Sequence, residues 1–184
     1  MEIIGSIFII IIGALGHFIF EWSGHRKWAG IFFAVNESTW EHIKLSIYPS
    51  FLWMVAEILF YGWSRSLMVA QFCAMFTMMM LIPLLFYAYT AVIGRNYLLS
   101  DIAVFCISIA AGMWVFSLVR PLEVSGAAYT LSLAGLAGIA ACYFTFSYHP
   151  FHNFLFRDPI SGGFGPKGHG CHSDFHGLHS KKSI

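Results

Sequence analysis

Five apolar runs, each near the 20 or so residues that an α-helix needs to cross about 30 Å of hydrocarbon, leave this chain few folds to choose from. They lie at roughly 3–20, 43–62, 67–93, 102–119 and 125–147 of a 184-residue sequence. Apolar side chains occur on all sides of each run, whereas the strands of a membrane barrel alternate apolar with polar residues over about ten positions. Charged residues make up only 10% of the chain, against about 25% in an average soluble domain, and the mean hydropathy is +0.72. The expected class is therefore an all-α, polytopic membrane bundle of five transmembrane helices.

The first run begins Met1-Glu2, acidic where a secretory signal would be basic, and a second apolar run follows closely. It reads as a retained first span. With five spans, one membrane face receives the N-terminus, Arg65 and Arg120. The other receives Arg26, Lys27, Lys44, Arg95, Arg157, Lys167, Lys181 and Lys182. Cytoplasmic connections carry the excess of Lys and Arg, so the N-terminus is expected outside and the C-terminus in the cytoplasm. Residues 1–148 are read as the transmembrane domain and 149–184 as a cytoplasmic tail, docked to about 166 and then His- and Gly-rich and mobile. The expected setting is a bacterial inner membrane, with the lipid bilayer as partner and a homo-oligomer possible. A formal net charge of +1 and dispersed basic residues speak against nucleic acid. Cys73, Cys106, Cys142 and Cys171 have no short ligand spacing, and disulfides are not expected to hold the fold.

Chemistry-bearing residues gather at one membrane face. The stretch from Val35 to Lys44, Val-Asn-Glu-Ser-Thr-Trp-Glu-His-Ile-Lys, sits at the lip of the second span. Ser38 and Glu41 fit a capping box, with each side chain satisfying a backbone donor near the other residue. Glu37 is expected to be drawn to the helix N-terminus, and Lys44 to snorkel. Capping does not account for Asn36, His42 or His17, and ionisable groups inside spans are functional candidates by default. The odd number of spans brings His17 and Glu21, the 36–42 stretch, and His149 and His152 to the same face. Imidazoles and carboxylates together suit zinc, manganese or iron. The expected metal ligands are thus His17, Glu21, His42, His149 and His152, with Asn36, Glu37 and Glu41 as candidate catalytic groups. A weaker metal set, Cys171, His172, His176 and His179, lies in the tail.

A rival reading follows the second span, where Thr39, His42, Ser46, Ser50, Trp53 and Glu57 recur at three- and four-residue steps. Ser46, Ser50 and Glu57 would then line a pathway for a cation or proton. The motifs of nucleophile elbows, P-loops and dinucleotide sites are missing. No internal repeat of the kind built into many transporters is evident.

The 35–45 stretch, His17 upstream, and Phe156-Arg157-Asp158-Pro159-Ile160-Ser161-Gly162-Gly163-Phe164-Gly165 near the end together resemble a family of small bacterial multi-pass membrane proteins of unknown function. Its motifs are VNES-x-WEH and DP-x-(S/T)-G-x-(Y/F)-G. The resemblance reaches about Pro166, implies a membrane protein of this length, and supplies no catalytic residues. Three readings of function follow: a metal-dependent membrane enzyme of hydrolase type at the cytoplasmic face, a small oligomeric cation or proton transporter, and a structural or accessory subunit.

Overall fold

In the computed structural model, residues 2–147, 149–158 and 162–165 are described. Among the described residues six helices follow in order: α1 (Glu2–Trp22), α2 (Lys27–Phe32), α3 (Thr39–Tyr61), α4 (Arg65–Ile93), α5 (Leu98–Val119) and α6 (Gly126–Phe146). All except the six-residue α2 are long and apolar enough to cross a membrane. At about 1.5 Å per residue, the 21 residues of α1 reach some 31 Å, the thickness of the hydrocarbon layer.

Local chemistry sets the helix ends. Ser38, Ser64 and Ser125 are extended N-caps whose hydroxyls accept from Glu41, Leu67 and Ala128 N–H groups. Gly94, left-handed at φ +80°, closes α4. Between α1 and α2 the chain reverses through Gly24 and His25, both at positive φ.

The bundle packs α4 against α3, α5 and α6, and α1 against α3 and α5. Pro49 lacks an N–H, so it leaves the Leu45 carbonyl without its usual helical donor. Gly13 of α1 packs on that carbonyl so closely that a Cβ there would stand 2.5 Å from it. Gly112 of α5 does the same for α4, where a Cβ would meet Met78 Cγ at 2.6 Å. Small residues thus bring helices together where no water is released by the contact.

Residues after α6 turn back over the start of α3. The Trp40 ring stacks between Tyr143 at 4.4 Å and Phe156 at 4.7 Å, centroid to centroid. Trp40 N–H, one of the donors a helix start leaves unmet, donates to the Leu155 carbonyl at 3.0 Å. Arg157 and Phe164 form an isolated antiparallel bridge.

Candidate metal centre

The ten-residue stretch at the start of α3 sorts its polar groups into two neighbouring clusters. In the first, Glu41 and Lys44 lie one turn apart with Oε2 and Nζ at 2.6 Å, both fully or almost fully buried. Lys44 Nζ also donates to the Gly30 carbonyl at 2.9 Å and to Ser147 Oγ at 3.2 Å. An ammonium has three protons to give, and all three are placed. Glu41 Oε2 accepts from Val35 N–H at 3.0 Å. The pair therefore ties α2, the 33–38 linker, α3 and the end of α6 to one point.

This differs from the sequence reading in two respects. Lys44 does not snorkel, because the Gly30 carbonyl and the Ser147 hydroxyl offer it partners inside the protein. The capping box is half made: Ser38 Oγ accepts from Glu41 N–H at 3.4 Å, but the Glu41 carboxylate turns to Val35 and Lys44. Asn36 takes the missing half, its Oδ1 accepting from Ser38 N–H at 2.9 Å. The Asn36 amide donates at 3.1 Å to the Gly165 carbonyl, 129 residues away.

The second cluster is more open. His17 Nε2 lies 3.3 Å from Glu37 Oε1, and His42 Nε2 lies 3.7 Å from Glu37 Oε2. Each of the three side chains is about a third exposed, at 31%, 33% and 37%. The two imidazole centroids are 5.8 Å apart. One ligand atom from each of the three residues falls within 4.8 Å of the others, so the group could hold a metal ion. His42 Nδ1 lies 3.0 Å from the Ser38 carbonyl. A carbonyl only accepts, so Nδ1 carries hydrogen and Nε2 of a neutral ring presents its lone pair to Glu37. An imidazole held by a carbonyl behind it is a typical arrangement for a metal ligand.

A small cavity of about 90 Å3 adjoins this cluster, lined by His17, Phe18, Glu21, Ala34, Asn36 and Glu37. Glu21 is exposed on its wall and is not one of the three grouped residues. His149 and His152 are exposed outside the group, the His152 ring lying 4.6 Å from that of Phe164. Cys171, His172, His176 and His179 lie outside the described residues.

Along α3 the polar stripe turns inward on the protein. Ser46 Oγ donates to the Ile43 carbonyl at 2.8 Å and Ser50 Oγ to the Ser46 carbonyl at 2.7 Å. Glu57, buried, accepts from the Gln71 amide of α4. Gln71 was not singled out in the sequence, since nothing in its spacing marks it as a partner of Glu57.

Five apolar helices joined by short links, with a mixed histidine and carboxylate group at one end, have the makings of a multi-pass membrane protein with a candidate ion centre. The chain belongs to a family described as "Family of unknown function (DUF6512)", whose model matches residues 2–166. No curated protein and no solved structure matches it.

Proposed function

We propose that this protein is a metal-dependent enzyme of the membrane, of hydrolase type, whose metal is held by His17, Glu37 and His42. The observation that carries the reading is the convergence of three ligand types, one atom each from His17, Glu37 and His42 lying within 4.8 Å of the others. With Nδ1 of His42 committed to the Ser38 carbonyl, the Nε2 lone pair and the Glu37 carboxylate face each other at 3.7 Å. Two imidazoles and a carboxylate this close suit a shared cation, either a proton or a metal. Two imidazoles and one carboxylate leave coordination positions open, as catalytic sites do and closed structural sites do not. A metal there would supply an activated water and polarise an ester or phosphoryl oxygen. Glu21, on the wall of the same cavity, is the carboxylate available to take up a proton. Lipid or isoprenoid substrates fit a site at the end of a bilayer-length bundle.

Arg26, Lys27, Arg95 and Arg157 share the membrane face of the site, against Arg65 and Arg120 on the other. That balance supports a cytoplasmic site in a bacterial inner membrane. A cation or proton pathway along α3 is less well supported, because Ser46 and Ser50 give their hydroxyl protons to their own helix.

Elemental mass spectrometry on the full chain tests the reading, beside a truncation after Pro166 and a His17→Ala, His42→Ala variant. One metal per chain in both the full and truncated proteins, lost in the variant, is the expected result. The metal-loaded protein is then expected to release fatty acid or phosphate from lipid vesicles. A metal-free truncation removes the metal reading, and a loaded but inert protein removes the hydrolase.

A further inference from the structure

A second and larger cavity, of about 510 Å3, lies beside the first, and neighbouring residues divide between them. Gly16 and Phe33 line the large cavity, His17 and Ala34 the small one. The floor of the large cavity is α3 from residue 45 to 52, about 10 Å of helix. Its flanks are α1 at Gly13 and Gly16, and α6 at Ala140 and Phe144. Its roof is α2, where the Phe32 ring packs edge-on against Tyr48 at 5.2 Å and Phe144 at 5.8 Å. Among the described residues, no Asp, Glu, Lys or Arg lines it.

The volume falls within the roughly 300–1,000 Å3 usual for ligand pockets. At the depth of the spans an apolar void forfeits dispersion contacts on every wall, and only apolar material is at hand to restore them. The groove follows about 10 Å of α3 under the α2 roof, a length and an apolar lining that suit an extended acyl chain. Charge then selects the headgroup. Arg26 and Lys27 are exposed and immediately precede Trp28, which lines the cavity. The acidic Glu21 and Glu37 line the small cavity instead. Basic residues beside an interfacial tryptophan attract anionic lipid heads.

We propose that this groove binds a phospholipid with an anionic headgroup, one acyl chain lying along α3 between α1 and α6 and the phosphate resting on Arg26 and Lys27. The inference stands independently of the metal. It is tested with the full chain in phosphatidylcholine nanodiscs doped with phosphatidylglycerol that carries a diazirine in one acyl chain. After photolysis, adducts are expected to concentrate on residues 45–52 and 140–144. Ala140→Trp, which fills the groove from α6, and Leu52→Trp, at its mouth, should each abolish those adducts and leave labelling elsewhere on the perimeter unchanged. Arg26→Glu with Lys27→Glu should cut labelling in the groove about fivefold or more for phosphatidylglycerol, and leave a phosphatidylcholine probe unaffected. Adducts spread evenly around the bundle in the unmodified protein overturn the proposal whatever the variants do. Equal labelling by phosphatidylcholine overturns the anionic selection, and a dimer that shields the groove from both probes assigns it to a second copy.

Discussion

Glu37 and Glu41 stand four residues apart at the same helix start and come to opposite ends. Glu41 is 2% exposed, holds Lys44 at 2.6 Å and accepts from a backbone amide. Glu37 is about a third exposed and faces two imidazoles at 3.3 and 3.7 Å. The first carboxylate has a cation of its own, locked by further hydrogen bonds. The second has partners that become cations only by taking a proton, or that share one with it as metal ligands. A closed ion pair with every proton placed has nothing left to offer a ligand, whereas an open cluster beside a cavity does. The contrast ties one half of the motif into the fold and leaves the other as the candidate ion site.

The largest test of that contrast is to break the closed pair. Lys44→Ala should cost about 3–5 kcal/mol, because it leaves the Glu41 carboxylate buried without its charge partner. Thermal unfolding in detergent measures the loss. Replacing both residues, Glu41→Leu with Lys44→Met, should recover most of it. A Lys44→Ala protein of native stability would dissolve the distinction between the two clusters.

Asn36→Ala comes next. It strands Ser38 N–H and the Gly165 carbonyl and should cost about 1–3 kcal/mol. Limited proteolysis is expected to reach residues 149–158 sooner.

Smaller in stability but decisive for chemistry are Glu37→Gln and His42→Ala. Partly exposed ion pairs contribute up to about 1 kcal/mol, so these variants should unfold near the temperature of the metal-free wild type. Metal content should nevertheless fall to zero. Acid should likewise strip the metal from the wild type, because each ligand must be deprotonated to bind it. Unfolding on substitution at either position would move Glu37 to the structural side.

The smallest effect belongs to Ser46→Ala with Ser50→Ala, expected at about 0.5 kcal/mol for each, because these buried hydroxyls bond carbonyls of their own helix. Proton flux in proteoliposomes that disappears with this variant would restore the pathway reading.

Much of this was legible in the sequence. The spans are long apolar runs, and the Ser38 cap is written in the residue types that follow it. The gathering of His17 and His42 at one face follows from counting spans. What the sequence does not display is which acid meets which base. Glu37 to His17 and Lys44 to Ser147 are contacts between elements far apart in the chain, fixed by how α1 and α6 pack on α3. Periodicity within one helix carries no record of them. For the same reason Lys44 reads as a surface residue until the Gly30 carbonyl and Ser147 hydroxyl are seen around it. His149 and His152 share the face of the site, as the span count requires, but the return of the chain after α6 leaves them exposed and apart from the cluster.

The hydrogen bonds from Asn36 to Gly165 and from Trp40 to Leu155 also set an order of events in the making of the protein. A chain is inserted from its N-terminus, so the linker carrying Glu37 enters the membrane surface long before residues 155–165 exist. Until residues 155–165 have been made, that linker lacks its clamp. Glu37 is therefore fixed beside His17 and His42 only once this segment has docked, and a molecule cut short before it would carry the histidines without that scaffold.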